Sequence, residues 1–151
     1  MSDRKQKEIN IEFKISSIEL IEKSFHAHKL PEGQPSDTQF ELAINVSIDK
    51  ANKKIANILQ VKLKMDNMEG IAASITVGCT FDIINFEELI TNNGDAVNVP
   101  ETILETLNII TIGTVRGIMF NEFKGTWLHN SILPIIDPKS FSMANALINK
   151  D

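Results

Sequence analysis

Residues 99–124 constrain the fold more than any other stretch, because they are apolar on nearly every side of a predicted helix. Asn98 stands in a capping position, Pro100 suits the first turn, and Gly125 is a natural stop. One broad face carries Ile103, Leu104, Leu107, Ile110, Val115, Ile118 and Met119, while Ile109, Ile112, Phe120 and Phe123 spread around the rest. A helix of this kind must be covered on more than one side.

One side of this helix can pack on a sheet of its own chain, which leaves the other side for a partner subunit. Gly113 and Gly117 stand four residues apart on one face, where their small size lets another helix backbone come close. The alternative is that Gly117 weakens or ends the helix. The predicted interface between subunits consists of Ile109, Ile112, Gly113, Arg116 and Gly117.

The chain before the helix alternates between apolar and polar residues, which predicts strands. Residues 9–25 alternate with a slip in phase at Ser16 and Ser17, so we expect one strand with a bulge there. Three further alternating stretches follow, at residues 40–48, 59–65 and 71–83. Short turns between them favour an antiparallel meander. The predicted fold class is α+β, with a four-stranded antiparallel sheet, a meander, packed by the long helix and a short C-terminal helix at residues 139–149.

Two segments beside the long helix are predicted to be irregular. Residues 86–97 link the sheet to the helix. The segment after the helix is apolar but has no helical length, because Pro134 and Pro138 interrupt it. Its apolar residues are Trp127, Leu128, Ile132, Leu133, Ile135 and Ile136. A segment of this kind either packs back as a plug of the core or lines a groove.

Length and composition predict one domain over residues 1–151, with residues 1–8 frayed. The net charge of −5 argues against a general nucleic-acid binder. From the sequence we expect no membrane-spanning stretch, and the basic start is not followed by the apolar run of a secretory signal. The single Cys79 cannot form an internal disulfide, so we expect the protein in the reducing cytoplasm.

Residues with catalytic or metal-binding chemistry are sparse. His26 and His28 have the spacing of half a metal site on a strand, but the pattern offers no third ligand, and solvated loop histidines explain them better. Cys79 lies on a predicted buried face, where a thiol is usually inert. No Gly-rich phosphate loop and no Gly-flanked serine nucleophile is present. The sequence therefore predicts a protein that is not an enzyme and uses no cofactor or metal.

Several short motifs, taken in order, resemble the SecB family of export chaperones and its SecB-like relatives. They are Phe13-Lys-Ile, Ile18, Ser24-Phe25, Gly78-x-x-Phe81-x-Ile83, the proline-started helix with Arg116-Gly117, and Leu133-Pro134-x-Ile-x-Pro138-x-x-Phe141. Their order and spacing carry the resemblance, which covers most of the chain. The resemblance implies four antiparallel strands plus helices, assembled as a dimer of dimers with the long helix in the interface.

The function that this resemblance implies is that of an ATP-independent holdase, which binds unfolded or precursor polypeptides in apolar surface grooves and serves protein export. Some relatives instead protect an aggregation-prone antitoxin in a toxin–antitoxin system. Such binding needs apolar and aromatic area, and sheet edges can add backbone pairing. A third alternative is an oligomeric interaction module without general chaperone activity.

The candidate polypeptide-binding residues are aromatic or apolar and lie in or near the predicted irregular segments: Phe86, Phe120, Phe123, Trp127, Leu133 and Phe141. For each one alone, the competing interpretation is core packing. Family members that dock on the SecA motor use acidic residues on the outer sheet face, and Glu22 matches one of those positions. The corresponding outward position on the last long strand is Ser74, which is not an acid. Docking on SecA is therefore the weaker prediction.

Overall fold

Four long strands and one long helix dominate the computed structural model, which describes residues 10–25, 37–66, 69–93 and 96–137. The long strands are β1 (Phe13–Phe25), β2 (Thr38–Asp49), β3 (Lys54–Met65) and β4 (Ala73–Ile83). They are followed by a short helix α1 (Phe86–Leu89), the short strands β5 (Thr91–Asn93) and β6 (Ala96–Asn98), and the long helix α2 (Glu101–Phe123). The frayed start, His26, His28, the helix at residues 139–149 and Phe141 lie outside the described residues.

The long strands form one antiparallel sheet in the order β1-β4-β3-β2. The predicted α+β class, with a four-stranded antiparallel sheet and a long helix, is confirmed. A meander connects β2, β3 and β4, whereas β1 lies at the far edge and pairs with β4. Local alternation predicts strands but not the pairing of strands that are distant in the sequence, so the place of β1 is a finding of the structure.

The link between the sheet and α2 is more ordered than the irregular connection that the sequence predicts. It contains α1 and a hairpin in which β5 pairs with β6. Just before α1, the Asn85 side chain accepts a hydrogen bond from the Glu12 backbone N–H at 2.9 Å and donates one to the Asn10 carbonyl at 2.8 Å. These bonds tie the start of β1 to the end of β4.

Helix α2 lies where the sequence predicts it but begins differently. Asn98 ends β6 instead of capping the helix, and Pro100 occupies the N-cap position, without a capping side-chain hydrogen bond. The predicted Asn98 cap is therefore wrong, because the preceding strand takes that residue. Gly125 has a φ of +76°, which confirms it as the stop, since this left-handed conformation favours glycine.

Strand β1 contains the predicted bulge and a second one. The pairing with β4 shifts between Ile15 and Ser17, as the phase slip predicts, and shifts again between Leu20 and Glu22. The second bulge places Ile21 on the outer face of the sheet, over Gly78, where an added Cβ would meet the Ile21 side chain at 3.2 Å. The adjacent apolar pair Leu20–Ile21 breaks the period of two and is the sequence signal for this second bulge.

The core lies between α2 and the inner faces of β3 and β4. Its largest fully buried side chains are Phe81, Ile55, Leu59, Leu63, Ile75, Leu107, Met119, Leu128 and Leu133. A polar group is buried among them, because Asn57 of β3 donates hydrogen bonds to Asn108 Oδ1 at 3.0 Å and Thr111 Oγ1 at 3.2 Å, both on α2. Since its two partners lie one turn apart, these bonds fix the position of α2 along β3.

The length and apolar composition of α2 contradict the expectation that no stretch of the chain could span a membrane. The helix Glu101–Phe123 is long and apolar enough to cross a membrane, since its most apolar stretch has a mean hydropathy of 1.4, so the expectation of no such stretch is wrong. The core helix of a water-soluble protein passes the same test, and 44% of the most apolar stretch of α2 is buried against the rest of the chain. The absence of membrane insertion stays a prediction.

Candidate functional site

The segment that follows α2, residues 125–137, turns back along the helix from which it leaves. Gly125 ends the helix, and a series of turns follows, with hydrogen bonds from Thr126 N to Phe123 O at 3.0 Å and from His129 N to Thr126 O at 3.1 Å. The His129 ring lies 5.8 Å from the ring of Phe120. Further along, the carbonyl of Leu133 lies 2.7 Å from Arg116 Nε, one helical turn before Phe120. The segment therefore runs antiparallel to α2.

Two leucines anchor this segment in the core. Leu128 and Leu133 are buried, and Trp127 and Ile136 pack partly against the same core. The sequence leaves open whether the segment is a plug of the core or the wall of a groove. In the structure the two leucines of the segment are buried in the core, while other side chains of the segment are exposed on the surface.

The exposed part of this region includes large apolar side chains next to polar ones. Ile135 is 94% exposed, Ile132 is 56% exposed and Phe120 is 50% exposed, and the half-buried Trp127 lies in the same turn as His129. We call Phe120, Trp127, Ile132 and Ile135 the terminal apolar surface. Exposed aliphatic and aromatic side chains grouped in an irregular segment are typical of interaction sites.

Arg116 holds the segment against the helix through two hydrogen bonds. Its Nε donates to the Leu133 carbonyl at 2.7 Å, and a terminal nitrogen donates to the Pro134 carbonyl at 2.8 Å. Both bonds are short and charge-assisted, and the bond to Leu133 is partly buried whereas the bond to Pro134 is exposed to solvent. The sequence predicts Arg116 at a subunit interface. In the structure its guanidinium bonds to its own chain, and the interface assignment stays a prediction.

The other predicted interface residues divide between an exposed and a buried side of α2. Ile109, Gly113 and Gly117 are exposed on one face, which we call the open helix face. Among residues 10–25, 37–66, 69–93 and 96–137, no atom outside the adjacent helix backbone lies within 4 Å of a Cβ built at Gly113 or Gly117, so these residues leave space for a second helix there. Ile112 is buried in the core of its own chain, and its place in the predicted interface stays a prediction.

The predicted polypeptide-binding residues divide in the same way. Phe120 and Trp127 contribute to the terminal apolar surface, whereas Phe86, Phe123 and Leu133 are buried in the core. Phe123 packs edge-on against Phe25 of β1, with ring centroids 5.6 Å apart. Their burial favours the competing interpretation of core packing, and a role of these three residues in polypeptide binding stays a prediction. Ile132 and Ile135 are not among the predicted site residues, since a segment without periodicity does not reveal which apolar residues face outward.

The outer face of the sheet carries the residue predicted to dock a partner. Glu22 is exposed on β1 and pairs with Thr76 of β4, and the next outward pair in register is Ser24 with Ser74. The exposed Ile21 lies beside Glu22 on the same face. Glu22 is thus accessible, but no second carboxylate accompanies it at the position that Ser74 occupies.

The buried thiol of Cys79 has the properties of a packing residue. Burial raises the pKa of Cys79, and hydrogen bonds with Thr111 and Thr114 of α2 oppose that shift only partly. The thiol is therefore protonated at neutral pH and is a poor nucleophile. Within the part of the chain that the structure describes, no group of three or more His, Cys, Asp or Glu side chains is arranged to hold a metal ion.

Comparison with solved structures finds the same arrangement of sheet and helix elsewhere. The SecB-like chaperone Rv1957 of Mycobacterium tuberculosis, in complex with a ChAD peptide from the Rv1956 HigA1 antitoxin, matches with a TM-score of 0.53 and 15% identity, over 82% of this chain and 83% of that chain. A Streptococcus agalactiae protein of unknown function matches with a TM-score of 0.46 and 14% identity, over 85% of this chain and 99% of that chain. No protein-family model and no curated protein matches the sequence. The first match confirms the predicted resemblance at the level of structure: the chain has a SecB-like fold.

Proposed function

We propose that this protein is a SecB-like, ATP-independent holdase that binds non-native polypeptides on the terminal apolar surface. The observation that carries the proposal is the exposure of Phe120, Ile132 and Ile135 beside Trp127, on a SecB-like fold. Binding at this surface requires no catalytic group, cofactor or metal. The proposed location remains the cytoplasm.

The chemistry of this surface suits a non-native chain. An unfolded polypeptide exposes apolar side chains, and burying one aliphatic or aromatic side chain fully contributes about 1.5–3 kcal/mol. Ile135 is almost fully exposed and so gains nearly all of this on being covered, whereas Phe120 and Ile132 gain about half. One such surface binds weakly, so strong holding needs several copies that act on the same client.

Self-association through the open helix face would supply those copies. Ile109, Gly113 and Gly117 form an apolar and sterically open stripe on α2. Strand β1 lies at a sheet edge, and its inward-pointing Ile15, Ile18 and Leu20 are also exposed, because α2 packs on β3 and β4. Burial of these residues against a second copy of the chain is the arrangement that we propose, with a dimer of dimers as the assembly.

Among the natural clients of such a holdase, we favour an aggregation-prone antitoxin over a broad set of export precursors. The structural neighbour was solved with a peptide from an antitoxin. On the outer sheet face, Glu22 stands without a second acid at Ser74, and this gives little support to docking on SecA. An interaction module without general chaperone activity is the remaining alternative.

The test of the proposed function is the aggregation of a guanidinium-unfolded reporter enzyme after dilution into buffer with and without this protein. We expect near-stoichiometric protein to suppress aggregation and the double variant Ile132→Ser/Ile135→Ser to lose most of that suppression. Ile84→Ser is the matched control, because Ile84 is 62% exposed and lies at the end of the sheet away from the contact between Phe25 and Phe123. Equal suppression by the double variant and the wild type would contradict the proposed surface.

The proposed interface is tested separately through the mass of the particle in solution. Gly113→Leu places a large side chain on the open helix face, and we expect light scattering to show a smaller oligomer than the wild type forms. Lys50→Leu, in the exposed turn between β2 and β3, adds the same side chain away from that face. If the mass of both variants equals that of the wild type, the open helix face is not the interface.

A further inference from the structure

The segment around Leu133 has to be placed accurately although no helix or strand orders it. Residues 131–137 have irregular backbone, and Pro134 has no N–H to donate. Ile132, Leu133 and Ile135 are all large and apolar, so hydrophobicity alone does not decide which of them enters the core. Yet Leu133 is buried while Ile132 and Ile135 are exposed.

One guanidinium donates hydrogen bonds to the carbonyls of both residue 133 and residue 134. Arg116 Nε reaches the Leu133 carbonyl at 2.7 Å, and the second donor reaches the carbonyl of Pro134 at 2.8 Å. Two nitrogens of one rigid, planar guanidinium thus donate hydrogen bonds to two consecutive backbone carbonyls. A lysine ammonium has no such fork, because its donors share one nitrogen.

We propose that Arg116 is the positioning residue of the terminal apolar surface: it fixes which residue of the segment enters the core and thereby keeps Ile132 and Ile135 outward. This proposal rests on the proposed function, because it assigns a role to the surface that holds the client. A shift of the segment by one residue would place Ile132 where Leu133 now lies. The two carbonyl contacts oppose that shift, since they exist in one register only.

The competing role for Arg116 is the subunit contact that the sequence predicts. The two roles differ in what moves when the side chain changes. A positioning residue changes the environment of the segment, and a subunit contact changes the mass of the oligomer. Trp127 is the only tryptophan of the chain and lies in this segment, so its fluorescence reports on the segment alone.

The experiment compares Arg116→Met and Arg116→Lys with the wild type in the full chain. Lys124→Met serves as the matched control, because it removes an exposed cation at the end of the same helix. The readouts are acrylamide quenching of Trp127, the mass by light scattering, the far-UV circular dichroism, and the affinity for reduced, carboxymethylated α-lactalbumin as a permanently unfolded client. Arg116→Lys keeps the charge and the aliphatic stem, so it remains informative if Arg116→Met fails to fold.

We expect both Arg116 variants to keep the helical signal and to make Trp127 more accessible to acrylamide. We also expect client affinity to fall by about three- to tenfold, with the lysine variant between the wild type and the methionine variant. The control variant Lys124→Met should match the wild type in every readout. Unchanged quenching and unchanged affinity in both Arg116 variants would overturn the proposal, as would a change in mass without a change in quenching.

The outcomes also separate this proposal from the proposed function. If the wild type does not bind the unfolded client, the holdase assignment fails, while the quenching of Trp127 still tests whether Arg116 places the segment. If Ile132→Ser/Ile135→Ser weakens binding and the Arg116 variants do not, the holdase assignment stands and the role of Arg116 is overturned.

Discussion

The sheet and the segment after α2 both bury large apolar side chains, but they hold them by different means. In the sheet, β3 pairs with β4 without interruption from Lys54 to Leu63, and the strand period sends every second side chain inward. In residues 125–137, a few turns, two buried leucines and the fork of Arg116 do the same task. The hydrogen-bonded pairing of β3 with β4 fixes the register of the strands and so fixes which side chains are buried. An irregular segment has no such constraint, so some of its apolar side chains can stay exposed.

The difference shows where an interaction surface can be built at low cost to stability. The hydrogen bonds between β3 and β4 hold every inward side chain in one close-packed core. A change of such a side chain to suit a binding partner would therefore destabilise the fold. The segment after α2 needs only Leu128 and Leu133 as anchors, and the residues between and after them are available for a partner. The five predictions below test this contrast, in order of decreasing effect on stability.

The largest effect on stability is expected at Phe81, which is fully buried in β4. Its ring packs edge-on against the ring of Phe13, with the ring centroids 5.9 Å apart. Phe81→Ala should lower the free energy of unfolding by about 3–5 kcal/mol, because a large cavity opens in a layer that the ladder prevents from collapsing. Urea denaturation followed by circular dichroism measures this. A loss below about 1 kcal/mol would mean that the sheet is not the rigid part of the comparison.

The next largest effect is expected at Leu133. Leu133→Ala should cost about 2 kcal/mol, at the low end for a buried leucine, because an irregular segment relaxes into the space more easily than a strand does. The same denaturation experiment should show greater quenching of Trp127 by acrylamide before the main transition. If Leu133→Ala costs as much as Phe81→Ala, the segment is as rigid as the sheet and the comparison fails.

The polar contact between sheet and helix predicts a third effect. Asn57→Leu leaves Asn108 Oδ1 buried without its donor and should cost about 1–3 kcal/mol. Adding Asn108→Leu removes the orphaned acceptor, so the double variant should recover most of that loss. A double-mutant cycle measured by denaturation gives the coupling. Additive losses would show that the two side chains do not depend on each other.

A surface position in the segment should behave in the opposite way. Ile135→Ser should change the free energy of unfolding by less than about 0.5 kcal/mol, because the side chain is 94% exposed and buries almost nothing in the folded chain. The variant nevertheless should bind an unfolded client less tightly than the wild type. A destabilisation comparable to that of Leu133→Ala would place Ile135 in the core and remove it from the binding surface.

The smallest expected effect on stability is a loss at low pH that depends on Asp82. A hydrogen bond from Lys54, together with the charge of that lysine, holds the pKa of Asp82 below its ordinary value. The unfolded chain therefore takes up the proton first as the pH falls, and the stability that the pair contributes is present above about pH 4 and lost below it. Asp82→Asn should flatten this part of the curve of unfolding free energy against pH. An unchanged slope would show that the pair contributes nothing.

Sequence reasoning is sufficient for the regular part of this molecule and insufficient for the irregular part. Alternation predicts all four long strands and the first bulge of β1, because side-chain period and burial are directly linked in a sheet. The pairing of β1 with β4 depends on contacts between residues more than 45 apart, which no local pattern contains. For the same reason the sequence assigns Arg116 to a partner subunit, although its acceptors lie 17 and 18 residues further along its own chain.

The candidate site divides along the same line. Phe120 and Trp127 are predicted from their residue type and position, and in the structure Phe120 is exposed and Trp127 is half-buried. Phe86, Phe123 and Leu133 have the same character in the sequence but enter the core, because tertiary packing decides between two chemically equivalent uses of an apolar side chain. Ile132 and Ile135 lack a periodic neighbour that would indicate which way they face.

The most direct test of the central claim is photo-crosslinking from the terminal apolar surface. A benzophenone side chain introduced at position 135 is irradiated in the presence of reduced, carboxymethylated α-lactalbumin, with position 50, in the exposed turn between β2 and β3, as the control. The holdase account predicts adducts with the client from position 135 and few or none from position 50. Bound client with no adduct from position 135, or equal yields from the two positions, would contradict it.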